Sequence, residues 1–87
     1  MPRRIPNFNQ IRAFEAAARL GSFRQAGDEL NVTYSAISHQ IKALEAYFGA
    51  PLFRRKARGV EITDAARPLL DDIQRALDVL ESATANF

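Results

Sequence analysis

Apolar residues recur along this chain with a period that changes twice. Between Tyr34 and Phe48 the positions Ile37, Ile41, Leu44 and Phe48 follow at steps of four, three and four, the spacing of one helical stripe. Tyr34, Ser35, Ser38, His39 and Lys42 fall on the opposite side, and Glu45 comes only at its far end. Upstream, Phe8, Ile11, Phe14 and Ala18, with Ala17 beside them, predict a first helix with those residues inside. Phe23, Ala26 and Leu30 predict a second. After Pro51 the period shortens: Leu52-Phe53 and Val60-Glu61-Ile62 are β-prone runs that predict a two-stranded hairpin. From Ala66 a helical spacing returns. Ala66, Leu70, Ile73, Leu77, Leu80, Thr84 and Phe87 alternate four and three, a heptad seam of about three repeats.

Start and stop signals frame these segments. Asn7 and Gln10 have the spacing of a capping box, and so do Ser22 and Gln25. Gly21 is placed to end the first helix in a left-handed conformation. Asn31 tolerates the same conformation after Leu30. Val32 is expected to plug that turn and Thr33 to cap the third helix. Gly27, costly inside a helix, suggests that another helix passes close. Gly49 closes the third helix and Pro51 forbids its continuation. Thr63 is expected to cap the fourth, with Asp64 suiting its dipole and Pro68 one turn in. Two helices joined by a short turn, the second polar outside, form a helix-turn-helix pattern, and the hairpin after it forms a wing. The expected fold is mainly α: a winged helix-turn-helix over residues 1–62, then a long helix over 63–87.

Composition narrows the use of this frame. With 87 residues and 47% hydrophobic content the chain should fold as one small domain that gains from a partner. It has no cysteine, so no disulfide framework and no thiolate metal site. The apolar runs are far too short for a membrane span, and no apolar core follows Met1-Pro2-Arg3-Arg4 as a secretory signal would require. A cytoplasmic protein is expected. Residues 1–6 resemble a flexible basic arm. The charges are unevenly placed: residues 1–59 hold ten Lys/Arg against four acids, and residues 60–87 hold two against six. The first part suits a polyanion, and the second should point away from one.

A donor-rich helix face and a basic wing suit double-stranded DNA. Tyr34, Ser35, Ser38, His39 and Lys42 offer hydrogen bonds and one certain positive charge to the major groove. Ser35 and His39 lie one turn apart and can address neighbouring base pairs. Neutral His39 has one donor and one acceptor, and protonated it has two donors. Thr33 can both cap the helix and contact phosphate. Arg24, Arg54, Arg55 and Arg58 are further DNA-contact candidates, Arg58 before Gly59 suiting the minor groove. Bland readings exist for each: surface packing for Tyr34, an idle lone histidine for His39, a solvated loop for the wing tip. Leu70, Ile73, Leu77 and Leu80 are the candidate dimerisation seam, whose bland reading is a helix folded back on its own domain. Catalysis is disfavoured, because the only histidine has no carboxylate within a turn and no phosphate-cradling glycine loop or metal cluster occurs. The serious alternative is a winged helix that binds proteins, which would place an apolar patch on the third helix.

These residues resemble a family. Arg12-Ala13-Phe14-Glu15-Ala16-Ala17-Ala18, Gly21-Ser22-Phe23, Val32-Thr33, Ser35-Ala36-Ile37-Ser38, Gln40-Ile41, Leu44-Glu45, Gly49, Leu52-Phe53-Arg54-Arg55, Arg58-Gly59 and Thr63 fall where the N-terminal DNA-binding domain of LysR-type transcriptional regulators has such residues. The pattern is most similar to the branch with the glycine-cleavage activator and the β-lactamase-gene regulator. The resemblance implies a bacterial transcription regulator that binds an imperfect palindrome as a homodimer through its C-terminal helix. It also admits a tetramer of a longer protein and contact with RNA polymerase. An effector domain, which would take a small-molecule co-inducer, normally follows in the family, so the chain is expected to be a fragment without cofactor of its own. Thr33 and Ser38 match positions that hold phosphates, Tyr34, Ser35 and His39 positions that face base edges, and Arg55 and Arg58 wing positions near the minor groove and backbone. Tyr34 stands where Gln is commonest and His39 where Arg is frequent, so base preference does not carry over. Ala66 stands where Gly is usual, which alters only the start of the last helix.

Overall fold

The computed structural model describes residues 4–87. Helix α1 spans Phe8–Leu20, α2 Phe23–Leu30, α3 Tyr34–Phe48 and α4 Arg67–Ala85. Strands β1 (Phe53–Arg55) and β2 (Val60–Ile62) form an antiparallel hairpin with Phe53 opposite Ile62 and Arg55 opposite Val60. A short 3-10 turn, Asp64–Ala66, leads into α4. The winged helix-turn-helix expected from the hydrophobic pattern is therefore present, with α3 running over the segment that its stripe marked. Residues 1–3 of the expected basic arm lie outside the described residues. Beyond them, the Arg4 carbonyl accepts a hydrogen bond from the Tyr47 hydroxyl, which ties that part of the arm to the end of α3.

The core gathers the inner faces of α1, α2 and α3 with the base of the hairpin. Phe14, Ile37, Ile41 and Leu44 are fully buried, and Ala13, Ala16, Ala17 and Ala26 let the helices approach around them. Burying side chains as large as Phe14 contributes about 2–3 kcal/mol each. A row of aromatic rings runs from this core to the start of α3. Phe14 meets Phe53 edge-on at 5.6 Å, Phe53 meets Phe23 at 5.4 Å, and Phe23 leans on Tyr34 at 6.1 Å. The row joins α1, β1, α2 and α3, so the wing and the third helix share one support.

Turn chemistry largely follows the sequence. Gly21 (φ +66), Asn31 (φ +59) and Gly49 (φ +69) are left-handed, and each ends a helix. Ser22 accepts the Gln25 amide and Thr33 the Ala36 amide. Several local expectations need correction. Asn7 caps α1 through the Asn9 amide rather than that of Gln10, so its side chain makes a tighter turn than a capping box. Phe8, at the first turn where no helix lies over it, is half exposed and carries Arg12 above its ring; Ala13 and Ala16 take the inner positions instead. Gly27 faces the following turn, not another helix: a Cβ there would stand 2.7 Å from the Val32 carbonyl oxygen. Val32 does not plug that turn, since the residue is 45% exposed. Phe48 stays largely outside the core and stacks edge-on with Tyr47. Thr63 makes no side-chain cap for the last helix; its hydroxyl is instead turned to the Pro51 carbonyl, to which it donates (3.1 Å). Pro68 is accommodated in the first turn of α4, where amides have no intrahelical partner.

Candidate nucleic-acid interface

Helix α3 presents its outer face next to the wing. Thr33, at its N-cap, is exposed while its hydroxyl oxygen accepts the Ala36 amide at 3.0 Å. Ser35, His39 and Lys42 are exposed, and Ser38 is half-buried. Tyr34 is 48% exposed with one side of its ring on Phe23, so packing fixes the ring and leaves the hydroxyl end free. Glu45, the single acid of α3, is turned to the hairpin and accepts the Leu52 amide at 2.8 Å. The outer face between Thr33 and Lys42 thus carries no carboxylate.

Two grooves join this face to the wing. One, of about 260 Å³, has Ser22, Phe23, Arg24 and Tyr34 on one side and Arg55, Lys56 and Gly59 on the other. It brings the sequence-predicted Arg24, Tyr34 and Arg55 together and adds Lys56, which was not singled out within the basic tip. The other, of about 140 Å³, sets Ser38, Lys42 and Glu45 against Arg54 and Arg55. Arg58 stands exposed in the turn between the strands, beside Gly59 at φ +85. Arg54 is less free than a tip residue would be. It lies in β1 opposite Glu61, and its guanidinium donates to the Glu61 carboxylate at 3.0 Å, with Lys56 at 3.9 Å from the other oxygen. The Arg54 hydrogen bond, helped by the charges of Arg54, Lys56 and Arg67, holds the Glu61 carboxyl below its ordinary range. The cross-strand position of Glu61 is the signal in the sequence that could have marked this pair.

Away from this face, α1 and α2 share an ion-pair network. Arg19 bridges Glu15 (2.9 Å) and Glu29, tying α1 to α2, and its guanidinium is held more strongly protonated by those two hydrogen bonds. Gln74 of α4 reaches the same Glu15 at 3.4 Å. Arg19 is thereby withdrawn from the cations that could meet a polyanion. Among the described residues no group of three His, Cys, Asp or Glu is set to hold a metal, and no helix is long and apolar enough to cross a membrane.

The four seam candidates do not share one environment. Leu70 and Ile73 are half-buried against the core of their own domain, together with Leu69. Leu77 borders a groove of about 700 Å³ between α1 and α4. Leu80 is 49% exposed, Val79 67%, and Phe87 fully exposed. The folded-back reading therefore describes the first two turns of α4, and the later turns leave an apolar side uncovered.

Comparison with known proteins places this geometry. The family model for "Bacterial regulatory helix-turn-helix protein, lysR family" matches residues 8–67. The "Glycine cleavage system transcriptional activator homolog" of Haemophilus influenzae is 46% identical over 84 residues, covering 97% of this chain and 28% of that protein. The "HTH-type transcriptional activator AmpR" of Providencia stuartii is also 46% identical over 84 residues, with the same coverage. Among solved structures, the chain superposes on the DNA-binding domain in the "CbnR_DBD-DNA complex" with a TM-score of 0.80 at 34% identity, covering 92% of each chain. The present chain spans less than a third of the length of these two curated relatives.

Proposed function

Since this chain belongs to the lysR family of bacterial regulatory helix-turn-helix proteins, transcription regulators rather than enzymes, we propose that it is the sequence-specific DNA-binding unit of a dimeric regulator. Residues 1–62 form the DNA-binding part and residues 63–87 the linker that pairs two copies. Helix α3 enters the major groove, with Thr33 and Ser38 on phosphates and Tyr34, Ser35 and His39 toward base edges. Lys42, Arg24 and Arg55 follow the backbone, and Arg58 reaches the flanking minor groove. The observation that carries this reading is the joining of a carboxylate-free polar helix face to a cationic wing by grooves lined with Arg24, Arg55 and Lys56. The structural likeness to a domain solved on DNA supports it. A two-fold pair of such units suits an imperfect palindrome, and a cytoplasmic location follows from the target.

The rival protein-binding module calls for an apolar patch on α3. The outer face from Thr33 to Lys42 is polar apart from the Tyr34 ring, and the exposed pair Tyr47–Phe48 lies at the far end of the helix. A salt titration of binding to random duplex separates the two. DNA binding through several phosphate contacts should lose about 10³-fold or more between 50 and 200 mM salt. No measurable duplex binding at low salt would overturn the proposal.

A further inference from the structure

A carboxylate on a helix that approaches DNA is repelled by phosphate, so Glu45 calls for a physical reason. Its surroundings supply one. The Glu45 carboxylate accepts the part-buried Leu52 amide at 2.8 Å, and its backbone carbonyl accepts the amides of Gly49 (2.8 Å) and Ala50 (3.2 Å). One residue of α3 thus holds three amides of the connection that leads into the wing. A charge-assisted bond of this kind is about twice as strong as a neutral one. The segment it holds is in turn fixed to the far side of the wing, because the Leu52 carbonyl accepts the Thr63 amide at 3.0 Å. The second strand is gripped from α1. The Val60 amide donates to the Gly21 carbonyl at 3.0 Å, and a Cβ on Gly59 would lie 2.1 Å from that same oxygen. The wing is therefore held at its root by the Glu45 side chain and, next to its turn, by the backbone contact of Val60 with Gly21.

We propose that Glu45 is a positioning residue for DNA recognition: it sets the wing against α3 so that the two engage one duplex together. The inference rests on the DNA-binding reading above. The contacts of Leu52 and Phe53 hold the hairpin to the core, and the aromatic row links it to the start of α3. The carboxylate adds the directional bond between the last turns of α3 and the residue before the first strand, with Lys42, Arg54 and Arg55 around the same groove.

The test uses a duplex selected from a random library by the unmutated chain, with minor-groove protection read by hydroxyl radicals and major-groove protection by methylation. Glu45→Ala removes the acceptor, Glu45→Asp keeps the charge but shortens its reach, and Glu45→Gln keeps an acceptor at full length. Circular dichroism checks that each folds, and if Glu45→Ala does not, Glu45→Asp carries the test. Glu45→Ala and Glu45→Asp should bind about tenfold more weakly, the scale of a lost contact to DNA, and should lose minor-groove protection while keeping that of the major groove. Glu45→Gln should retain both. Full minor-groove protection in a folded Glu45→Asp or Glu45→Ala chain overturns the proposal, and so does a Glu45→Gln chain as impaired as Glu45→Ala. Failure of the unmutated chain to select any duplex would instead overturn the DNA-binding reading beneath it.

Discussion

Thr33 caps α3 with its hydroxyl oxygen, and in the proposed complex the same hydroxyl would also meet a phosphate. Its oxygen accepts the Ala36 amide, which leaves its proton free to face outward toward a phosphate. Thr33→Ala should therefore cost about 1 kcal/mol of stability through the lost cap, measured as a lower urea midpoint. It should also weaken duplex binding at temperatures where the chain remains folded; unchanged binding would remove Thr33 from the interface. Glu61 leads to a prediction of opposite sign. Its carboxylate engages Arg54 and lies near Lys56, so two wing cations are partly neutralised before DNA arrives. Glu61→Gln should tighten binding to duplex at low salt, and the slope of log K against log salt should steepen by about one contact. An unchanged slope would mean that Arg54 already leaves Glu61 when DNA binds. The pair escapes notice in a linear reading, because its partners are seven residues apart and meet only through the hairpin register.

Helix α3 was legible at both ends for local reasons. Thr33 caps it, Gly49 stops it in a left-handed turn, and Ile37, Ile41 and Leu44 place its stripe. The inner face of α1 was less so. Phe8 fits the stripe by spacing, but the first turn overhangs the core, while the small Ala13 and Ala16 are buried because neighbouring helices come close. Local signals also compete with tertiary ones: the Thr63 side chain is turned toward the Pro51 carbonyl and not to the turn after it. The tether of α1 to α2 was invisible in the sequence, since Arg19 and Glu29 lie ten residues apart. It carries a pH prediction. The Arg19 hydrogen bond, opposed by desolvation and helped by the charges of Arg19 and Arg12, lowers the Glu29 pKa in the folded chain. A depressed carboxyl contributes stability above its unfolded pKa and loses it as the pH falls through its folded value. The stability gap between the native chain and Arg19→Ala, read from urea midpoints, should be present at pH 7 and shrink below about pH 4.5. Both side chains are about 40% exposed, so solvent screening keeps the gap small and high salt should narrow it further. A gap that does not change with pH would assign the effect of Arg19 to packing alone.

At the scale of the whole molecule, the chain measures 42 × 29 × 21 Å, and α4 at 19 residues is its longest element. The heptad pattern of α4 could not tell a self-covered seam from a shared one, because both need the same spacing of apolar residues. The structure divides it. Leu69, Leu70 and Ile73 close the core of their own domain, whereas Leu80, Val79 and Phe87 face outward. The two halves should respond differently to substitution. Ile73→Ala removes half-buried apolar volume and should cost about 1–2 kcal/mol of unfolding free energy, below the range for fully buried sites. It should change self-association little beyond the loss of folded chain. Leu80→Asp removes little from the monomer core, so the melting midpoint of the dilute chain should hold. In the proposed dimer it would place a carboxylate in the apolar seam, opposite its symmetric copy, and the cost of burying that charge should separate the protomers. Sedimentation should then show monomer where the native chain is dimeric, and binding to a palindromic duplex should fall toward that of one half-site. The acidic composition of α4 sharpens the outcome: in the proposed complex Asp71, Asp72, Asp78 and Glu81 would hold this helix away from phosphate, so Leu80→Asp should act on DNA binding through pairing, not through direct repulsion at the interface. A Leu80→Asp chain that stays dimeric would move the pairing surface off the exposed half of α4.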